Sequence, residues 1–235
     1  MCFSNSCAVK NIDLAKKYKK EIPFQFPDTP LFYASAFSFP EWRIITQKPE
    51  IELMNWGLVP NWFKGDIFSE IAAKTPNARI ETIDSTPSFK GLINQQRCII
   101  PSTGYFEWQH KGKNKLPFFI FPKSQKLFSM AGLFSEWVQP KTRKKMRTFT
   151  LLTCEAHTFL AEIHNSKKRM PFLLKDSAVE HWLSTTDFDF NKISLLPENH
   201  IDAHLIEKRI INSQNPNRKE VQEFYKEDFI QGSLF

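Results

Sequence analysis

The sequence predicts one mixed α+β domain, rich in strand, and three observations lead there. Apolar residues make up 41% of the 235-residue chain and include 23 phenylalanines, enough for a substantial core. Strand-like runs, the strongest from Thr148 to Cys154, alternate with short segments of helical periodicity. No internal repeat and no linker-like change of composition divides the chain.

Each element has a local reason. Over residues 8–20, Ile12, Leu14, Ala15 and Tyr18 recur at helical spacing, with lysines opposite. Pro23, Pro27 and Pro30 end that helix and impose extended or turn structure. Residues 31–39, rich in Phe and Ala, read as a buried strand or close-packed loop, and 43–46 and 51–56 as short strands around a turn. Trp56-Gly-Leu-Val-Pro-Asn-Trp-Phe63 is a shaped loop, because Gly57 permits a backbone closed to other residues and Pro60 stiffens the exit. A short helix within 66–73 precedes a loop, 75–82, that carries Asn77, Arg79 and Glu81. Residues 97–108 form a strand–turn–strand around Pro101 and Gly104. Glu107 lies there between Phe106 and Trp108. Contact with those rings would desolvate the carboxyl and raise its pKa toward acid/base use, although strand alternation also allows it to face water.

Further strands are expected over 116–122, 127–138 and 148–154, with a basic turn over 139–146. A helix over 155–164 ends on His164, where the helix dipole favours the imidazolium. Asp176 is the N-cap candidate of an amphipathic helix to 183, residues 184–200 are loop-like, and 201–211 hold a last strand. The domain is expected over 2–215, with a partly disordered polar tail over 216–235.

The net charge of +7 favours an anionic partner, usually nucleic acid. Basic clusters at 16–20, 111–115, 141–147 and 167–169, with Trp56, Trp62 and Trp108, match the phosphate-binding charge and stacking platforms used for single strands. No run of ~18 apolar residues predicts a membrane helix. The N-terminus lacks a signal-peptide pattern, so a cytoplasmic location is expected. Cys2, Cys7, Cys98 and Cys154 fit neither a zinc template nor a redox pair, and no metal or cofactor is expected. Cys98 and Cys154 read as small buried residues. A monomer is expected.

Cys2 carries the distinctive chemistry. Trimming of Met1 would place an α-amine and a thiol in 1,2-relation on one residue. With an aldehyde, the amine forms an imine and the thiol closes on it to a thiazolidine.

Read in order, Cys2, Trp56-Gly-Leu-Val-Pro60, Asn77-Ala-Arg-Ile-Glu81, Arg97-Cys-Ile-Ile-Pro101, Gly104-Tyr-Phe-Glu-Trp108, Ala131-Gly-Leu-Phe134, and Ile163-His164 with Arg169-Met-Pro171 resemble the SRAP family. These are the SOS response-associated peptidase-like, or abasic-site processing, proteins. The resemblance implies a central barrel-like mixed sheet with flanking helices, and covalent capture of abasic sites in single-stranded DNA through the N-terminal cysteine. It implies catalytic roles for Cys2, Asn77, Glu107 and His164. It also implies DNA contacts by Arg79, Arg97 and Arg169, with Trp56 or Trp62 along the path. The chain departs from the family twice. Ser4 stands where members often carry Arg, and two extra residues separate His164 from Arg169, so that Lys167 or Lys168 takes part of that contact. The same residues admit other readings. One is a cysteine hydrolase with Cys2 as nucleophile, His164 as base and Asn77 as orienter; a self-processing peptidase and a minor abasic-site lyase reaction are related possibilities, and a non-catalytic single-strand binder is another.

Overall fold

Strand pairing sorts the chain into two sheets. The computed structural model describes residues 2–184 and 189–226. Strand β1 (Ser4–Cys7) leads into helix α1 (Asn11–Tyr18), which buries Leu14 and Tyr18. Beyond the proline-rich link come β2 (Leu31–Ser35), β3 (Glu41–Ile44) and β4 (Glu52–Trp56). Short helix α2 (Ser69–Ala72), β5 (Asn77–Arg79) and short helix α3 (Leu92–Gln95) follow. The long strands are β6 (Arg97–Ser102), β7 (Gly104–Lys111), β8 (Asn114–Pro122), β9 (Phe128–Val138) and β10 (Lys145–Glu155). Helix α4 (Thr158–Ile163), β11 (Arg169–Pro171), β12 (Leu173–Leu174), α5 (Asp176–Leu183), β13 (Ile201–Leu205) and α6 (Lys208–Ile211) complete the chain.

The smaller sheet runs β13-β8-β7-β1-β2, all antiparallel. The larger runs β12-β9-β10-β4-β3, with β6 on β9 and both β5 and β11 on β10. Its far strands, β3 and β6, meet through an isolated bridge, Ile45–Ile99, and the Trp42 indole donating to the Pro101 carbonyl. The sheet is therefore barrel-like, but no continuous ladder closes it. The main core lies between the sheets and holds Cys2, Trp56, Cys98, Tyr105 and Phe149. A second cluster, with Phe106, Phe119 and Val221, covers the other face of the smaller sheet.

Tertiary pairing changes several expected elements. Residues 77–79 form a strand rather than a loop, because β10 offers an edge to which β5 adds in parallel, Leu151 opposite Asn77. Residues 97–108 do form two strands but not a hairpin: β6 pairs with β9, whereas β7 pairs with β1 and β8. The chain changes sheets at Thr103. A Cβ on Gly104 would stand 2.6 Å from the Ile120 carbonyl oxygen, so the close approach of β7 to β8 there requires glycine. Lys175, not Asp176, occupies the N-cap of α5, and Asp176 pairs with Lys17 at 2.7 Å. The last strand stops at Leu205, and α6 follows.

Residues 216–226 are mostly exposed, with a few contacts to the smaller sheet. Asn217 accepts hydrogen bonds from the backbone N–H of Phe32 and Tyr33, Gln222 donates to the Phe32 carbonyl, and Val221 is buried. The rest of the expected tail, 227–235, lies outside the described residues.

Candidate active site and nucleic-acid interface

Cys2 lies two residues before strand β1, which fixes the N-terminal segment in the smaller sheet. Strand β1 lies between β2 and β7, with Ser4 opposite Phe106 and Asn5 opposite Tyr105. Continuing that antiparallel register sets Phe3 opposite Glu107, with Cys2 one residue further on. The Cys2 side chain is buried, at 1% exposure. Burial, the nearby Glu107 carboxylate and a hydrogen bond to it push the thiol well above its ordinary range.

Alternation along β7 decides what Glu107 faces. Tyr105 belongs to the main core and Phe106 to the outer cluster, with Trp108 packed against that cluster. Glu107, two residues from Tyr105, points inward and is 4% exposed. Its neighbours in sequence, Phe106 and Trp108, are therefore not the groups that bury it. Its Oε1 instead lies 3.6 Å from Nδ1 of His164, which is 5% exposed. That nitrogen is also 2.9 Å from the Arg169 carbonyl oxygen. A carbonyl only accepts, so Nδ1 carries a proton in this geometry.

The stretch between His164 and Arg169 folds into a closed turn. The N–H groups of Lys167 and Lys168 both point to the His164 carbonyl, at 3.3 and 2.8 Å, and Lys168 takes a left-handed backbone with φ 50°. The Asn165 side chain ties the turn to both backbone groups of His110. A cleft of about 330 Å³ opens beside it, lined by Phe3, Glu107, His110, Lys115, His164 and Lys167. Lys115 was marked only as part of the basic cluster 111–115, and His110 and Phe3 carried no signal of their own in the sequence, because their distance from His164 along the chain hides their proximity.

The remaining site candidates separate. Asn77 stands on β5, and neither polar atom of its buried amide has a hydrogen-bond partner among the described residues. Arg79, on the same strand, is exposed. Arg169 is bidentate to Glu81, at 2.7 and 2.9 Å, and donates to the Thr153 carbonyl at 2.6 Å. The Arg169 hydrogen bonds hold the Glu81 carboxyl below its usual range. This guanidinium is committed to the fold as much as to any ligand.

Two of the residues expected to contact DNA are buried. Arg97 is 4% exposed and donates to the carbonyls of Ile93 in α3 and Trp182 in α5, so it fastens helices rather than facing solvent. Trp56 is 1% exposed, stacks on Phe149 with ring centroids 6.0 Å apart, and donates to the Pro76 carbonyl, so it is a core residue. Trp62, by contrast, is 50% exposed, on the rim of a cleft with Phe63, Lys74 and Phe89. Lys168 is exposed on its turn. Ser4 is buried with its hydroxyl 3.0 Å from that of Tyr33, so position 4 here is part of the packing.

The fold is a strand-rich α+β arrangement in which a buried thiol just before the first strand lies near a buried carboxylate and histidine. The chain belongs to the SOS response associated peptidase (SRAP) family, whose profile matches residues 1–213. It is 39% identical over 150 residues to the abasic site processing protein HMCES of Gallus gallus, a match covering 55% of this chain and 44% of that one. It is 34% identical over 174 residues to the abasic site processing protein YoqW of Bacillus subtilis (strain 168), covering 72% and 75%. The chain thus spans less than half the length of the chicken relative and three quarters of the bacterial one. A crystal structure of a protein from Bacteroides thetaiotaomicron superposes with a TM-score of 0.86 at 33% identity, covering 96% of this chain and all of that one. Among the described residues no helix is long and apolar enough to cross a membrane.

Proposed function

We propose that this protein processes abasic sites in single-stranded DNA by forming a covalent thiazolidine through Cys2. The names of the relatives support the lesion, and one observation in this chain carries the chemistry. The Cys2 thiol is hydrogen-bonded to Glu107, which in turn lies beside His164, and a cleft rimmed by Lys115 and Lys167 opens onto the last two.

Removal of Met1 gives Cys2 a free α-amine. The ring-opened abasic deoxyribose presents a C1′ aldehyde. The neutral amine adds to it, and loss of water gives an imine. The thiol then passes its proton to Glu107, the sulfur bonds to the imine carbon, and the nitrogen takes up a proton. One water leaves overall, and no electrons are gained or lost. Glu107 is the proton carrier, because it touches the thiol and is shielded from bulk water. His164, with its proton on Nδ1, turns Nε2 chemistry toward the sugar oxygen and assists ring opening. Asn77 offers a buried donor and acceptor without charge, suited to orienting the amine or the sugar. Arg79, Lys168 and Arg169 hold flanking phosphates, and Trp62 provides a stacking surface.

A cysteine hydrolase is the second reading. Such an enzyme activates its thiolate with an imidazolium, which lowers the thiol pKa. Here the group bonded to the thiol is a carboxylate, which raises it. That favours chemistry in which the amine attacks first and the thiol closes second. Peptidase action confined to exposing Cys2, and a minor strand-cleaving elimination from the imine, remain compatible with the same site.

The test mixes protein of confirmed Cys2 N-terminus with an oligonucleotide bearing one abasic site and resolves the product on a denaturing gel. A shifted band stable to heat and salt, lost in Cys2→Ala, is expected. Its absence from the wild-type protein, with amide hydrolysis retained, would put the hydrolase reading first.

A further inference from the structure

We infer that the Tyr105 hydroxyl is a further member of the reaction site, donating a hydrogen bond to the Cys2 sulfur as it attacks the imine. This rests on the thiazolidine reading above. Three independent observations point to it.

The first is placement. Tyr105 and Glu107 are two residues apart on β7 and share its inward face, while Phe106 between them joins the outer cluster. Cys2 lies beyond the end of β1 and is buried in the same core cluster as Tyr105. The groups that act electrostatically on the phenol are Cys2, Glu107 and Cys154. It therefore faces the reacting thiol and its proton acceptor from the floor of the site.

The second is that the hydroxyl is unexplained by folding. Tyr105 is 1% exposed, and its oxygen has no hydrogen-bond partner among the described residues. A buried hydroxyl left without a partner is destabilising, and native proteins retain few such groups without a reason. The ring itself packs against Phe128, with centroids 6.2 Å apart. Phenylalanine would make that contact equally well, so packing alone does not call for the oxygen.

The third is the need of the reaction. Once Glu107 takes the proton, a thiolate forms inside a buried pocket beside a carboxyl group. Removal from water disfavours that anion. The other charged and titratable groups around it are Glu107 on β7, Cys154 on β10 and His164 after α4. None of the first two donates to an anion when ionised. The phenol stays protonated at every working pH, because burial, Cys2, Glu107 and Cys154 push it well above its ordinary range. It is thus a standing donor at the place where negative charge develops, a role that stabilises a transition state without proton transfer.

The test uses the full chain with mature Cys2, comparing wild type with Tyr105→Phe. Both are mixed with an oligonucleotide carrying one abasic site, and samples are split before denaturation. One half is treated with borohydride, which fixes the imine as a stable amine. The other is heated directly, so that only the closed thiazolidine survives. For Y105F we expect imine formation near the wild-type rate and ring closure slower by about tenfold or more, the effect of losing one hydrogen bond to a charged atom. The adduct that survives only after borohydride should rise accordingly. A purely structural role would change thermal stability and both steps together, whereas removal of an unpartnered hydroxyl should leave the melting temperature unchanged or raised. Wild-type closure and an unchanged borohydride-dependent fraction in Y105F would overturn the inference. Failure of the wild-type protein to form any Cys2-dependent adduct is a separate outcome, and it removes the thiazolidine reading and this one with it.

Discussion

Replacing Arg97 by methionine tests whether that residue belongs to the fold or to the DNA path. Its side chain is buried, donates from Nε to the Trp182 carbonyl at 2.5 Å and from an η nitrogen to the Ile93 carbonyl, and lies with its guanidinium 6.0 Å from the Trp182 ring centroid. Methionine keeps the aliphatic bulk and removes the charge and both hydrogen bonds. A hydrogen bond from a charged donor is worth about 1.5–3 kcal/mol, and the ring contact adds about 0.5–1 kcal/mol. Relief of the buried charge offsets part of that sum. A net loss of about 3 kcal/mol follows. For a chain of this size, at about 2–4 °C per kcal/mol, the melting temperature should fall by about 6–12 °C. Urea unfolding measures the first quantity and a thermal scan the second. Binding to single-stranded DNA, measured by anisotropy across a salt series, supplies the discriminating control. A phosphate contact contributes about 0.7 to the slope of log affinity against log salt. The slope of R97M should equal that of the wild type. A stable R97M with a slope reduced by that amount would refute the assignment and return Arg97 to the interface.

Other consequences are equally direct. Because burial and Glu107 raise the Cys2 thiol, its alkylation and the ring-closing step should both quicken as pH rises past the ordinary thiol range. Glu107→Gln removes one raising influence and should shift the alkylation profile to lower pH; an unmoved profile would separate the two groups. Gly57→Ala should destabilise the protein by about 2 kcal/mol or more, because φ at Gly57 is +111° and a Cβ would stand 2.8 Å from both Cβ and O of Ala72. Urea midpoints check it. Arg169 holds the Glu81 carboxyl below its usual range, so this pair stabilises the fold above the unfolded carboxyl pKa of about 4.3 and ceases to do so as pH falls through the lower, folded value. Glu81→Gln should therefore differ from wild type at neutral pH and converge with it in acid, as acid-unfolding curves would show.

Part of the candidate site was readable from residue types alone. A cysteine at position 2 can offer an amine and a thiol together whatever the fold does, and Glu107 and His164 were identifiable because each stands in a motif of distinctive composition. The strands over 127–138 and 148–154 were legible for a related reason, since apolar runs bounded by polar turns have few other destinations. Local sequence also marked the helix that ends on His164.

Burial and partnership belonged to the tertiary structure. Nothing local distinguishes Trp56 from Trp62, yet one stacks inside the core and the other lies half exposed, because β4 is an inner strand of its sheet and residue 62 lies beyond it. Arg97 resembled a surface arginine until α3 and α5 closed over it. Residues 77–79 became a strand only because β10 presented an edge. The chain alone carried the cysteine and its motifs. The pairing of β1 with β7, a contact about a hundred residues apart in sequence, decided that the N-terminal segment would lie beside the strand that carries Glu107, because side-chain chemistry is local while burial and proximity depend on which distant strands share an edge.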